Sequence, residues 1–372
     1  MRNLIAHLGL VLMGLVMGVL LAGLGTEITL RVTDAVPEVE SPLSGSHQSD
    51  AYLGWSGIPN LRLRFRRPEF DALVEHDAEG WRQPKPPRPA VPTSRILVLG
   101  DSWGWGVSQG QVFTDLLQAA LPATVAVYNR SVPGFGTAQE YLLLQRELAA
   151  RVYDAVVLMF HMNDLSDNTS GRQGRRPYFE LVNGDLRPRN QPALPVINPV
   201  GQFLREHSRA YGFVQFRLEL LKRRFSGEAN DEREYRTAPA VDFHDVPGYA
   251  VTARLLGEMQ RLAREHGARF VLVYIPQRSE IELDAPFPYV RSIHAMVDDI
   301  ARREDIPLLD LSPPFHQHAK AGEQLIYAID AHWTPAGHRV AATVLLASPI
   351  FQPLRDAGAG EPRDPGLAGR SR

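Results

Sequence analysis

Cysteine is absent from this chain of 372 residues, which removes disulfides, thiolate metal sites and cysteine nucleophiles together. Its chemistry must rest on oxygen and imidazole. A strong charge of either sign is missing too: the formal net charge is -2 and the pI is near 6.6. No field of that size draws a protein to nucleic acid or an acidic membrane surface, so nucleic-acid binding is set aside. No internal repeat is visible. What is present is an ordinary composition, 44% hydrophobic and 22% charged, enough to bury a full core in one large domain or two modest ones.

From Leu4 to Gly25 no charged side chain occurs apart from the titratable His7. A helix of about 20 apolar residues spans a bilayer core. Arg2 precedes this run, while Glu27, Asp34, Glu38 and Glu40 follow it, diluted by Arg31. The asymmetry predicts a single pass through the inner membrane over residues 4–25, with the body of the protein periplasmic. A cleaved signal peptide is the alternative, but the run is long for one and offers only Gly23 and Gly25 as a small-residue pair. Gly14 and Gly18 form a Gly-x-x-x-Gly pair, a weak signal because glycine is common in membrane helices.

Residues 1–33 thus read as an anchor and 34–94 as an extended N-terminal region that ends in the proline-rich connection Pro84 to Pro92. Residues 95–352 read as the main domain. Five short, continuously apolar runs follow one another there: Arg95 to Gly100, Thr124 to Tyr128, Ala155 to Phe160, Arg269 to Tyr274 and Pro307 to Leu311. Such runs suit strands buried on both faces of a parallel sheet. Helical periodicity occupies Ala138 to Ala150, Tyr249 to His266 and Tyr289 to Arg303, and a last helix follows from Pro335 with Thr334 as its N-cap. The alternation predicts a three-layer α/β fold. It breaks in an insertion over 168–245, where Leu181 to Leu186 reads as a hairpin turn and Gly201 to Arg224 as an amphipathic helix. Phe203, Tyr211, Phe213 and Phe216 on that helix read as core, the alternatives being the lining of a substrate groove or an approach to the membrane. The tail, 353–372, is expected to be disordered.

Four places could carry chemistry. Gly100-Asp101-Ser102 ends the first strand, where α/β sheets bind ligands, although Asp-Ser there also makes an ordinary turn. Asp330 and His332 lie on one loop before the last helix. An imidazole oriented by a carboxylate activates a serine hydroxyl, but both residues could equally cap the helix. Asn129 to Gln139, containing Gly134, follows the second strand, and His161-Met-Asn163-Asp164 follows the third. A tetrahedral intermediate needs donors, which the Ser102 N–H, the Gly134 N–H and the Asn163 amide could supply; the alternatives are turn glycines and a helix cap. His338 should sit on the last helix, packed in place.

Taken in order, these blocks resemble the SGNH/GDSL hydrolases, over roughly Tyr52 to Ala347 and including Gly104-Trp-Gly-Val107 and Asn163-Asp-Leu-Ser-Asp-Asn168. The resemblance implies a five-stranded flavodoxin-like parallel sheet in an α/β/α sandwich, and a serine esterase with no cofactor and no metal. Ser102 would be nucleophile, His332 base and acid, Asp330 its orienting carboxylate, and Ser102, Gly134 and Asn163 the oxyanion hole. Two departures stand out: His161 replaces the glycine of the family's Gly-x-Asn-Asp block, and one residue, not two, separates Asp330 from His332. The resulting Asp-x-His-Trp form is similar to proteins that acetylate or deacetylate exported polysaccharides, as in alginate assembly. That implies an O-acetyl group on a glycan as substrate, with polysaccharide-export partners. A polysaccharide O-acetyltransferase with the same triad, a non-catalytic polysaccharide-binding module, and a metal hydrolase using His316 and His318 are the alternatives.

Overall fold

A computed structural model describes residues 2–33, 38–39, 45–67, 69–168, 176–189, 204, 207–214, 217–218, 235–246 and 248–356. The five apolar runs become strands β1 (Ser94–Gly100), β2 (Val125–Asn129), β3 (Ala155–Phe160), β4 (Arg269–Tyr274) and β5 (Leu308–Asp310). They form one sheet in the order β5-β4-β3-β1-β2, and every pairing in it is parallel. β2 runs one residue beyond its expected end, because Asn129 pairs with Val98. β5 is shorter than expected. Proline has no N–H for a ladder, and Leu311 has turned to helical dihedrals to cap the next element.

The principal helices are α1 (Arg2–Val32), α2 (Phe113–Ala120), α3 (Thr137–Ala150), α4 (Tyr249–Glu265), α5 (Pro288–Arg303), α6 (Ser312–Lys320) and α7 (Pro335–Ala347). Successive residues of a strand face opposite ways, so β1 feeds two cores at once. Leu97 and Leu99 join Leu143, Leu256 and Met296 of α3, α4 and α5. Ile96 and Val98 join Phe113, Phe315 and Ala341 of α2, α6 and α7. The result is an α/β/α sandwich whose strand order reverses beside β1, and its carboxyl edge there is the place a ligand enters such a sheet.

The region ahead of β1 is more than a connection. Arg62–Arg67 and Phe70–Glu75 pair as an antiparallel hairpin, and Leu63, Phe65, Phe70, Ala72 and Val74 from its inner face enclose Trp105 and Val107 just after the β1 edge. Arg82 donates to the Gly106 carbonyl (3.0 Å), and buried Arg130 stacks on Trp81 while pairing with Glu79 at 2.7 Å. These contacts bind the N-terminal region to the sandwich.

In the insertion, Tyr178–Val182 and Asp185–Arg189 form the expected hairpin. Asn183 and Gly184 take φ of 55° and 84°, the paired positive values that a two-residue turn of this hand requires. The expected helix over Gly201 to Arg224 lies largely outside the described residues, as do Phe203, Phe216 and the chain beyond Asp356. Residues 209–214 are helical, with Tyr211 half-buried. Phe213 is 38% exposed, which corrects its expected place in the core. The helix docks on α1: Glu27 accepts from the Ser208 hydroxyl (2.8 Å) and from the N–H groups of Arg209 (3.2 Å) and Ala210 (2.8 Å), and Arg31 donates to the His207 carbonyl. Gly9–Val32 of α1 is long and apolar enough to cross a membrane.

Candidate active site

β1 ends at Gly100, and Asp101 caps the single turn of helix Ser102–Trp105, its carboxylate accepting from the Trp103 N–H at 2.9 Å. That cap turns the chain at the sheet edge with Ser102 foremost. Gly104 lets the turn settle on the loop after β2, since a Cβ there would lie 2.3 Å from the Ser131 hydroxyl oxygen.

The loop before α7 brings the imidazole. His332 Nδ1 lies 2.7 Å from Asp330 Oδ1, and His332 Nε2 lies 2.9 Å from Ser102 Oγ. With Nδ1–H donating to the carboxylate, Nε2 is left to accept the serine proton. Burial pushes the Asp330 carboxyl up, but the hydrogen bond from His332 and the charges of His332 and Arg67 outweigh it and hold it below the usual range. Asp330 therefore stays an anion beside the imidazole.

His161, in the place of the family glycine, orients Asn163. Its Nδ1 lies 2.5 Å from Asn163 Oδ1, and burial drives its pKa down to about 4, so it is a neutral ring donating through Nδ1–H. With its oxygen held, the Asn163 amide presents Nδ2, which donates one hydrogen bond to Asp101 at 3.1 Å. An amide nitrogen carries a second N–H. Gly134 stands in the neighbouring loop at φ 79°, its carbonyl accepting from buried Arg176 at 2.5 Å. The Trp103 ring packs against both imidazoles, 4.9 Å from His161 and 4.8 Å from His332 between centroids.

Beneath Ser102 lies a nest of carboxyl groups. Asp101, Glu140 and Asp164 are buried, and burial raises all three, Asp101 to about 6 and the others well above the usual range. Neighbouring carboxylates push the latter two further. His338 is packed on α7, accepting from the Phe113 N–H at 3.2 Å, and burial lowers it to about 3. His316 and His318 pair separately with Asp284 and Glu323. Among the described residues no three histidine, aspartate or glutamate side chains are grouped to hold a metal ion.

Several participants carry no local sequence signal. Arg67 reaches Asp330 from 263 positions away, and Glu69 accepts from the N–H groups of Ile329 and Asp330. His161 stands out within its block, but nothing in the sequence tells that it meets Trp103.

A parallel α/β/α sandwich presenting a serine, an imidazole and a carboxylate in hydrogen-bonded series belongs to the class of ester-bond hydrolases. More narrowly, the chain belongs to the GDSL-like Lipase/Acylhydrolase family, whose model matches residues 98–340. No curated protein matches the chain in sequence. Among solved structures, it is similar to a member of the lipolytic protein G-D-S-L family from Veillonella parvula (13% identity, 68% of this chain and 96% of that one, TM-score 0.38). It is also similar to Axe2, an acetylxylan esterase from Geobacillus stearothermophilus (14% identity, 69% and 94%, TM-score 0.38). A lipase/acylhydrolase from Enterococcus faecalis is a third (12% identity, 73% and 99%, TM-score 0.38).

Proposed function

We propose that the chain is a membrane-anchored serine esterase that removes a short acyl group, an O-acetyl on a glycan, through an acyl-enzyme. The observation that carries this reading is the unbroken series Ser102 Oγ, His332 Nε2, His332 Nδ1, Asp330 Oδ1, with links of 2.9 and 2.7 Å. In the first half-reaction His332 takes the Ser102 proton as Oγ bonds to the ester carbonyl carbon, and the resulting oxyanion is met by the Ser102 and Gly134 N–H groups and the second N–H of Asn163. His332 then returns that proton to the departing sugar oxygen, leaving acyl-Ser102. In the second half-reaction His332 takes a proton from water, the hydroxide adds to the acyl carbon, and collapse releases the acid and restores Ser102–OH.

The choice of a short acyl group draws support from the ring wall of His161, Trp103 and His332, and the glycan from the Asp330-Ala-His332-Trp333 block. α1 supplies the anchor, and the polar body beyond it is then outside the cytoplasm. A sugar hydroxyl entering in place of water would make the same cycle an acetyl transfer; the two differ only in the acceptor.

The test is labelling of the detergent-solubilised chain with a fluorophosphonate, with the modified residue located by mass spectrometry. Label on Ser102 that is lost in His332→Ala, together with acetate released from an acetylated xylo-oligosaccharide, is the expected result. A folded protein that takes no label sinks the triad. Label accompanied by acetyl transfer to sugar and no free acetate replaces hydrolase with transferase.

A further inference from the structure

Ala331, the one residue between Asp330 and His332, stands at φ 69°, in the left-handed region that alanine seldom adopts. Such a conformation persists only where its surroundings over-determine it. The loop is held from two outside directions. Glu69 Oε2 takes the N–H groups of Ile329 (2.9 Å) and Asp330 (2.8 Å), and Arg278 donates to the carbonyls of Tyr327 (2.6 Å) and Ala328 (3.2 Å). Within the loop, the Tyr327 N–H donates to the His332 carbonyl (2.9 Å) and the Ala331 N–H to the Tyr327 carbonyl (3.2 Å).

The carboxylate itself is gripped at both oxygens. His332 Nδ1 meets Oδ1, and the Arg67 guanidinium meets Oδ2. The Asp330 side chain is 2% exposed, so water has little part in fixing its plane. Arg67 and Glu69 belong to the Arg62–Arg67/Phe70–Glu75 hairpin, which lies wholly ahead of the matched residues 98–340.

We propose that Arg67 and Glu69 are positioning residues for ester cleavage: the N-terminal hairpin completes the catalytic apparatus by fixing the Asp330 carboxylate and the backbone that carries it. The inference rests on the triad reading above. Glu69 sets the height of the loop, and Arg67 sets the rotation of the carboxylate so that its other oxygen faces His332. The guanidinium also acts electrostatically, since a fixed cation beside Asp330 favours its ionised form. Without it, Asp330 holds its proton to higher pH, and the acid side of the activity profile moves up. A hairpin that was merely stapled to the domain by this ion pair would leave that profile where it is.

The experiment measures p-nitrophenyl acetate hydrolysis by the full-length chain in detergent micelles across pH, for wild type, Ser102→Ala, Arg67→Met, Arg67→Gln and Arg67→Lys. Arg67→Met is expected to lower kcat on the order of 10- to 100-fold, the scale of an ångström-sized misplacement, with KM little changed and the acid limb moved to higher pH. Arg67→Gln keeps a donor without the charge, so it should recover most of kcat while its acid limb stays displaced. Arg67→Lys keeps the charge and should bring the limb back. Should Arg67→Met fail to fold by circular dichroism, the Gln and Lys variants carry the same comparison. Wild-type kcat and superimposable pH profiles in the Arg67 variants, with Ser102→Ala dead, overturn this inference alone. Activity surviving in Ser102→Ala overturns the triad reading whatever Arg67 does.

Discussion

Two kinds of carboxyl group surround Ser102, those held ionised by their partners and those held protonated by burial. Asp330 is of the first kind, a carboxylate kept ionised by its partners. Glu140 is of the second: it is 0% exposed, and neither carboxylate oxygen has a hydrogen-bond partner among the described residues. Burial first, then Asp101 and Asp167, raise it well above its usual range. A raised acid contributes stability that is complete below the unfolded-state value and is lost as pH rises toward the folded one. Each such proton tilts stability by about 1.4 kcal/mol per pH unit within that window. Glu140→Gln removes the titration and keeps the shape. Urea unfolding from pH 5 to pH 8 should show the variant gaining on wild type as pH rises; parallel curves would contradict the account.

Among the elements, the hairpin of Arg62–Arg67 and Phe70–Glu75 matters most beyond the sandwich, because its core and the turn behind Ser102 are one cluster. Phe65 is 0% exposed and meets Trp105 edge-on at 5.6 Å. Phe65→Ala should cost about 3–5 kcal/mol of stability, the usual price of such a truncation, and lower kcat more than it raises KM. A thermal melt with parallel kinetics reads both; full activity in a destabilised variant would separate the hairpin from the site. The elements that could be read from sequence were those whose pattern is local. β1 to β4 are unbroken apolar runs, and α4 has a clear apolar stripe. α6 was missed because Pro313 and Pro314 look like breakers, although proline suits a helix's first turn. α2 was missed because it has only eight residues. Ser102, His332 and Asp330 were legible as blocks tied to strand ends. Arg67 and Glu69 were not, since an alternating Arg-Leu-Arg-Phe-Arg-Arg run announces a strand and says nothing of which carboxylate the last arginine meets.

For the whole molecule, α1 and the sandwich are separable in their tasks. Every side chain assigned to the reaction lies between Arg67 and His332, whereas α1 offers an unburied apolar surface. A chain lacking residues 1–33 is expected to leave the membrane fraction and to keep the kcat of the detergent-solubilised parent. Alkaline carbonate extraction should leave the full chain in the pellet; its release to the supernatant would contradict the anchor. Glu27 and Arg31, which grip the insertion helix, would be lost with α1, so any change in the truncated enzyme is expected in the insertion first.

The grip of Arg67 on Asp330 also sets a timetable. A growing chain presents its amino end first, so Arg67 and Ser102 are made long before Asp330 and His332 exist. Closing a contact of such separation costs loop entropy before it returns anything. On the proposed triad, a nascent molecule therefore carries Ser102 without its base, and activity is expected only once residues 330–332 have been made and have folded back onto it.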